Sequence, residues 1–188
     1  MAIIHRATIT PTKLELLEEW LGDEPAGSLD ATTGLQQVGS YRFDDPVGEV
    51  GIEALLVSRG GPVRQVVLTY RAAPLDSAEG HLITTMEHSV LGKRWVYDGQ
   101  GDPVAVAAYQ RALAGLEEQA ALEIWDGDTL VETRQPTVEL TLRDPAAAPD
   151  GLDVHLVTDI AGARAAGPAL LARWDGGEGI VAWAGSGS

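Results

Sequence analysis

The chain reads as two short helical patterns set among runs that alternate apolar and polar residues. Leu14, Leu17 and Leu21 recur at helical spacing, Leu16 and Trp20 widen the stripe, and Glu15, Glu18 and Glu19 fall on the opposite side. That spacing predicts an amphipathic helix. Its start is signalled twice: Thr10 can cap with Pro11 in the first turn, or Thr12 can cap with Glu15 in a capping box. Gly22 and Pro25 end it. A second helix opens on Asp102-Pro103, with Val104, Val106, Ala107, Gln110, Leu113 and Ala114 as its expected inner stripe and Gly115 at its weak end.

The other patterns are strands. Met1 to Thr8 alternates weakly, and Asp23 to Gly39 has no period and reads as a loop. Then come Tyr41–Phe43, Glu49–Ser58 with Val50, Ile52, Ala54 and Leu56 on one face, Val63–Arg71, His81–Val90 and Lys93–Asp98. Short connections make neighbours antiparallel, so a meander of four or five strands with the first helix across one face is expected. Beyond the second helix, Ala121–Trp125 and Thr129–Thr133 flank Asp126-Gly127-Asp128 as a hairpin. Thr137–Arg143, Leu152–Ile160, Ala169–Trp174 and Ile180–Trp183 complete the strands. Strands in runs, not alternating with helices, define an α+β protein, with antiparallel, curved sheets and two main helices packed on them. Residues 1–118 form the α+β region and 119–188 a β-rich region packed on it, or the two make one continuous domain.

Composition narrows the function. The formal net charge is −15, which repels nucleic acid and anionic membranes. Cys is absent, so disulfides and thiolate chemistry are excluded. No apolar run is long enough to span a bilayer, and MAIIHRATITP lacks the parts of a signal peptide. A cytoplasmic protein is expected; its oligomeric state is left open.

Most polar side chains able to build a site lie between Val66 and Asp102. On one strand His81 and His88 would point to opposite faces, which argues against a shared metal. Asp126-Gly127-Asp128 is better read as a hairpin tip than as a metal motif. The glycines of Gly99–Gly101 precede a helix start as in phosphate-binding loops, but Asp98 and Asp102 flank them and the P-loop Lys is missing. No nucleophile stands beside a base, so no catalytic or metal residue is assigned and no cofactor is expected. Two groupings remain. Arg94 and Asp98 share a strand face, within reach of a charge network with Glu87 or Glu53, and with Tyr70 and His88 could line a pocket. Lys93, Trp95 and Tyr97 share the other face and, with the first helix, form a candidate partner surface.

The blocks MAIIHRATITPTKLELLEEWL, FDDPVGEVGIEALLV, LTYRAAPL and EHSVLGKRWVYDGQGDPV occur in that order. They resemble the N-terminal cap domain of maltokinases, and above all the short stand-alone proteins with a maltokinase cap-like domain, over roughly residues 1–110. In the kinases the cap packs on an ATP-binding lobe, and the whole enzyme phosphorylates maltose or related sugars with ATP and Mg²⁺. The resemblance implies no catalytic residue here. Phosphoryl transfer needs a Lys or Arg on the phosphates and a catalytic Asp with a nearby Asn, whereas this chain has no Asn and only Lys13 and Lys93. It therefore reads as a cap without its engine: a non-catalytic binding or regulatory module acting through a protein partner, for which the resemblance implies α-glucan or trehalose metabolism as the setting. A sugar- or nucleotide-binding protein or minor enzyme with a pocket on the concave sheet is the alternative.

Overall fold

Thr12 begins the first helix. In a computed structural model, which describes residues 2–5, 8–22, 34–126, 129–134 and 136–185, its hydroxyl accepts from the Glu15 N–H while the Glu15 carboxylate accepts from the Thr12 N–H at 2.8 Å. This is the second of the two anticipated starts. The helix, α1 (Lys13–Leu21), ends at Gly22; Pro25 lies outside the described residues. Leu16 and Leu17 are buried, Leu14 and Leu21 pack at the margin, and Glu15, Glu18 and Glu19 face water. Trp20, placed by spacing on the stripe's edge, is 41% exposed. Thr12→Ala is expected to lower stability by about 1 kcal/mol, read as a shift in the urea midpoint without a change in slope.

Ahead of α1 lie β1 (Ala2–His5) and β2 (Ile9–Thr10). After it come β3 (Gln36–Phe43), β4 (Gly51–Ser58), β5 (Arg64–Arg71), β6 (Leu82–His88) and β7 (Gly92–Asp98). The protein is α+β, and β2 to β7 make a curved antiparallel sheet of order β2-β6-β7-β5-β4-β3. The expected meander holds for β3-β4-β5 but not beyond. β7, not β6, pairs with β5, and β6 sits outside it. The connection from Arg71 to Leu82 is long enough to step over one strand position, and it is tied down where Leu75 N–H donates to the Tyr97 hydroxyl at 2.8 Å. The strand at Tyr41 is also longer than its alternation suggests, because it starts at Gln36 inside the segment read as a loop.

Both faces of this sheet are buried, which is why β4 and β5 read as continuous apolar runs. Leu55, Val57, Val66, Leu68, Met86 and Val96 meet α1 on one face. Ile52, Ala54, Leu56 and Val67, with Tyr41 and Phe43, meet the second helix on the other.

That helix, α2 (Pro103–Leu113), is capped by Asp102 with Pro103 at its first position, as anticipated. Its buried face is Ala105, Ala108, Tyr109, Ala112 and Leu113; of the predicted stripe Leu113 is fully buried and Val104 packs against the core, whereas Val106, Ala107, Gln110 and Ala114 are only partly buried. Alanine is apolar on either side of a helix and carries little directional signal. Here a small Ala face packs α2 into the apolar cluster shared with both sheets, with Tyr109 and Leu113 as its large buried groups.

The remaining strands are β8 (Leu122–Asp126), β9 (Thr129–Arg134), β10 (Val138–Arg143), β11 (Asp153–Leu156), β12 (Ala169–Trp174) and β13 (Gly177–Gly185). The β8–β9 hairpin forms as expected, with Asp126 opposite Thr129; its tip lies outside the described residues. β8 also takes β1 in parallel, an arrangement that only a long connection permits. β10-β12-β13-β11 form an antiparallel sheet. Its inner residues, including Val138, Leu170, Ala172, Val181 and Ala182, belong to the same apolar cluster as α2 and the larger sheet.

Buried polar groups join these layers. Tyr41 donates its phenol to Gln65 Oε1, and Tyr109 lies 2.8 Å from the Tyr41 oxygen. The Gln65 amide nitrogen donates to the carbonyls of Val157 and Val181 at 3.0 and 2.8 Å. Tyr109 therefore donates to Tyr41, and every donor in the chain of bonds has an acceptor. Burial pushes both phenols up, so they stay protonated as this network requires.

Candidate functional site

Two buried carboxylates organise the polar side chains of the larger sheet, one on each face. Glu53, on β4, points toward α1 and is 4% exposed. Lys13 lies 2.6 Å from one of its oxygens and Arg42, across the β3–β4 pair, 2.9 Å from the other. Tyr70 donates to Oε2 at 3.0 Å, and Lys13 stands over the Tyr70 ring. Burial alone would push Glu53 up; the Arg42 and Lys13 charges overcome it and hold the carboxyl at about 2. The first turn of α1 is thereby fastened to the sheet by an ion pair as well as by leucines.

Asp102 is fully buried at the start of α2. Arg71 grips it with two bonds of 2.7 and 2.6 Å, Thr69 donates at 2.7 Å, and Val104 N–H donates at 3.0 Å. Burial works against the charged form, but these donors outweigh it and lower the carboxyl. Ahead of it, Gly99–Gly101 is a single 3-10 turn. A Cβ at Gly101 would stand 2.1 Å from the His81 ring. The turn therefore packs against protein, with Asp98 accepting from Gln100 N–H.

The sequence candidates fall on both sides of the sheet. Tyr70, Arg94 and Asp98 share the α1 face, as anticipated, but buried Val96 stands between Arg94 and Asp98 along β7, and Tyr70 is bonded to Glu53. Glu53 is neutralised by Lys13 and Arg42, so the Glu53 charge network foreseen for Arg94 is occupied by other cations. His88, grouped with Tyr70, Arg94 and Asp98 as a pocket candidate, accepts from the N–H groups of Val90 and Leu91 through Nδ1 and shapes the β6–β7 turn. His81 lies at the end of a 3-10 turn before β6, so strand parity does not apply to the pair of histidines. Neither of the two pockets described, one beside Gln119 and one beside Leu21, is lined by Tyr70, His88, Arg94 or Asp98.

Lys93, Trp95 and Tyr97 share the opposite face. Lys93 is exposed and lies 5.0 Å from the Trp95 ring centre, a cation–π contact. Tyr97 is buried and holds the Leu75 loop, and α1 covers the other side of the sheet, so only Lys93 and Trp95 of this group reach the surface. Among the described residues no group of three His, Asp or Glu could hold a metal ion, and no helix is long and apolar enough to cross a membrane.

The residues that the sequence does not announce are Gln65, Tyr41 and Tyr109, and the stacked rings of His155 and Trp183 at 4.1 Å. A lone Gln in a Val-rich strand was the available signal for the first group.

A two-faced antiparallel sheet, clamped to a helix on each side by a buried carboxylate, defines an α+β module whose buried charges, Glu53 and Asp102, are both engaged in holding the fold together. Residues 20–102, from the end of α1 through β7 to the cap of α2, match the family model of the maltokinase N-terminal cap domain. The resemblance carried by the FDDPVGEVGIEALLV, LTYRAAPL and EHSVLGKRWVYDGQGDPV blocks is thus borne out over a little under half of the chain, and this stretch is maltokinase cap-like. No curated protein and no solved structure matches.

Proposed function

We propose that this chain is a binding module of the maltokinase-cap type, acting by engaging a protein partner and not by a reaction of its own. The observation that carries the reading is the match of residues 20–102 to the maltokinase N-terminal cap domain. It is supported by the commitment of Glu53, Asp102, Tyr97 and His88 to bonds that hold helices, loops and turns in place. By analogy with the enzyme that gives the cap its name, the partner is sought among enzymes of α-glucan and trehalose metabolism, in the cytoplasm. The partner patch is Lys93 with Trp95, a half-buried indole under an ammonium, where aromatic residues carry most binding energy.

The test is titration of the purified chain with a maltokinase and with a trehalose synthase, followed by calorimetry. A micromolar complex, weakened about tenfold or more by Trp95→Ala in a variant that still melts cooperatively above the assay temperature, is expected. No complex with either enzyme ends the metabolic link. A rise in melting temperature with ATP and Mg²⁺ on the chain alone would move the reading toward catalysis.

A further inference from the structure

β10 is the outer strand of its sheet, paired with β12 on one side only among the described residues. Its other edge is partly satisfied by a side chain. Gln119 Nε2 donates to the Val138 carbonyl at 2.8 Å, and Leu140 N–H donates to Gln119 Oε1 at 2.6 Å. One donor and one acceptor are what the backbone of an added strand would supply there. Since Val138 and Leu140 direct their backbone groups to this side, so does Leu142, by strand alternation. Alongside runs a cavity of about 460 Å³ bounded by Gln119–Ala121, by Thr133, Arg134 and Pro136, and by Glu139–Thr141.

We infer that this edge takes an extended, positively charged peptide segment as an added strand. Main-chain bonds to the edge supply affinity in such strand addition, and flanking side chains supply selectivity. Two observations set the sign of the peptide's charge. Arg134 is already held by Glu132 at 3.1 Å, while the exposed Glu139 has no ion-pair partner among the described residues. A second copy of this chain is the poorer occupant, because each copy brings a net charge of −15 and the same Glu139. The inference rests on the geometry of the β10 edge and not on the maltokinase-cap reading.

The experiment uses the full chain, ¹⁵N-labelled, with two capped hexapeptides: Val and Lys in alternation, and Val and Glu in alternation. The Val/Lys peptide is expected to shift the amides of Leu140, Leu142 and Arg134 and to slow exchange of the Leu142 amide about tenfold or more at saturation. Glu139→Lys is expected to weaken the Val/Lys peptide by about threefold and to strengthen the Val/Glu peptide. No shifts at millimolar peptide, shifts away from β10, or equal binding of the two peptides would overturn it. A maltokinase complex whose protected amides lie at Trp95 and not at β10 would leave the proposed function standing while removing this site.

Discussion

Glu53→Ala is expected to destabilise the protein by about 3–5 kcal/mol, because it leaves Lys13 and Arg42 as uncompensated charges beside an apolar layer. In a chain of this size that lowers the melting temperature by roughly 10 °C or more. Glu53→Gln keeps the shape and some hydrogen bonding, so its main effect is the loss of charge. The pH dependence separates the two contributions. The folded carboxyl sits at about 2 against an ordinary 4.5, so the unfolded chain binds the proton more readily. The stabilisation is then complete above about pH 4.5 and disappears as the pH falls toward 2, about 3 kcal/mol in all. Denaturation curves between pH 7 and pH 2.5 are expected to show this slope in the parent and a flatter one in Glu53→Gln. Equal slopes would mean that the ion pair contributes little to the fold.

Asp102→Ala is expected to cost about 3 kcal/mol or more, through a lost helix cap and an abandoned Arg71. Thr69 and Arg71 approach this carboxylate from β5, while Val104 N–H approaches from α2. The side chain is therefore a joint between sheet and helix, and faster amide exchange in the first turn of α2 reports its failure directly. Asp102→Asn retains a capping oxygen but not the charge, and is expected to fall between the parent and the Ala variant. Parent-like melting in both variants would rule the joint out. Because Asp102 is held below its ordinary range, its contribution also fades on acidification.

These joints explain which parts of the fold are legible in the sequence. Local chemistry reads well: Thr12 with Glu15, Asp102 with Pro103, and the alternation of Val50, Ile52, Ala54 and Leu56 each depend on near neighbours. Choices made by the rest of the molecule read poorly. Which strand lies beside β5 depends on where a long loop lands. Which side of α2 is inner depends on a second sheet contributed by residues far along the chain. Among the candidate groups, face assignments follow from parity and hold for Arg94 and Asp98, but partners do not. Glu53 could have been neutralised by any nearby cation, and Lys13 became one only because α1 folds across the sheet.

The way β4 and β5 are covered sets a minimum length for a working molecule. Tyr41, Phe43, Ile52, Ala54, Leu56 and Val67 all lie within the cap-like stretch, yet the residues that shield them, from Tyr109 through Val138 to Val181, come after it. A truncated form ending at Asp102 would open this greasy surface to solvent and clump. Partners should therefore be sought with the 188-residue protein, because stickiness in a shorter version would be mistaken for recognition.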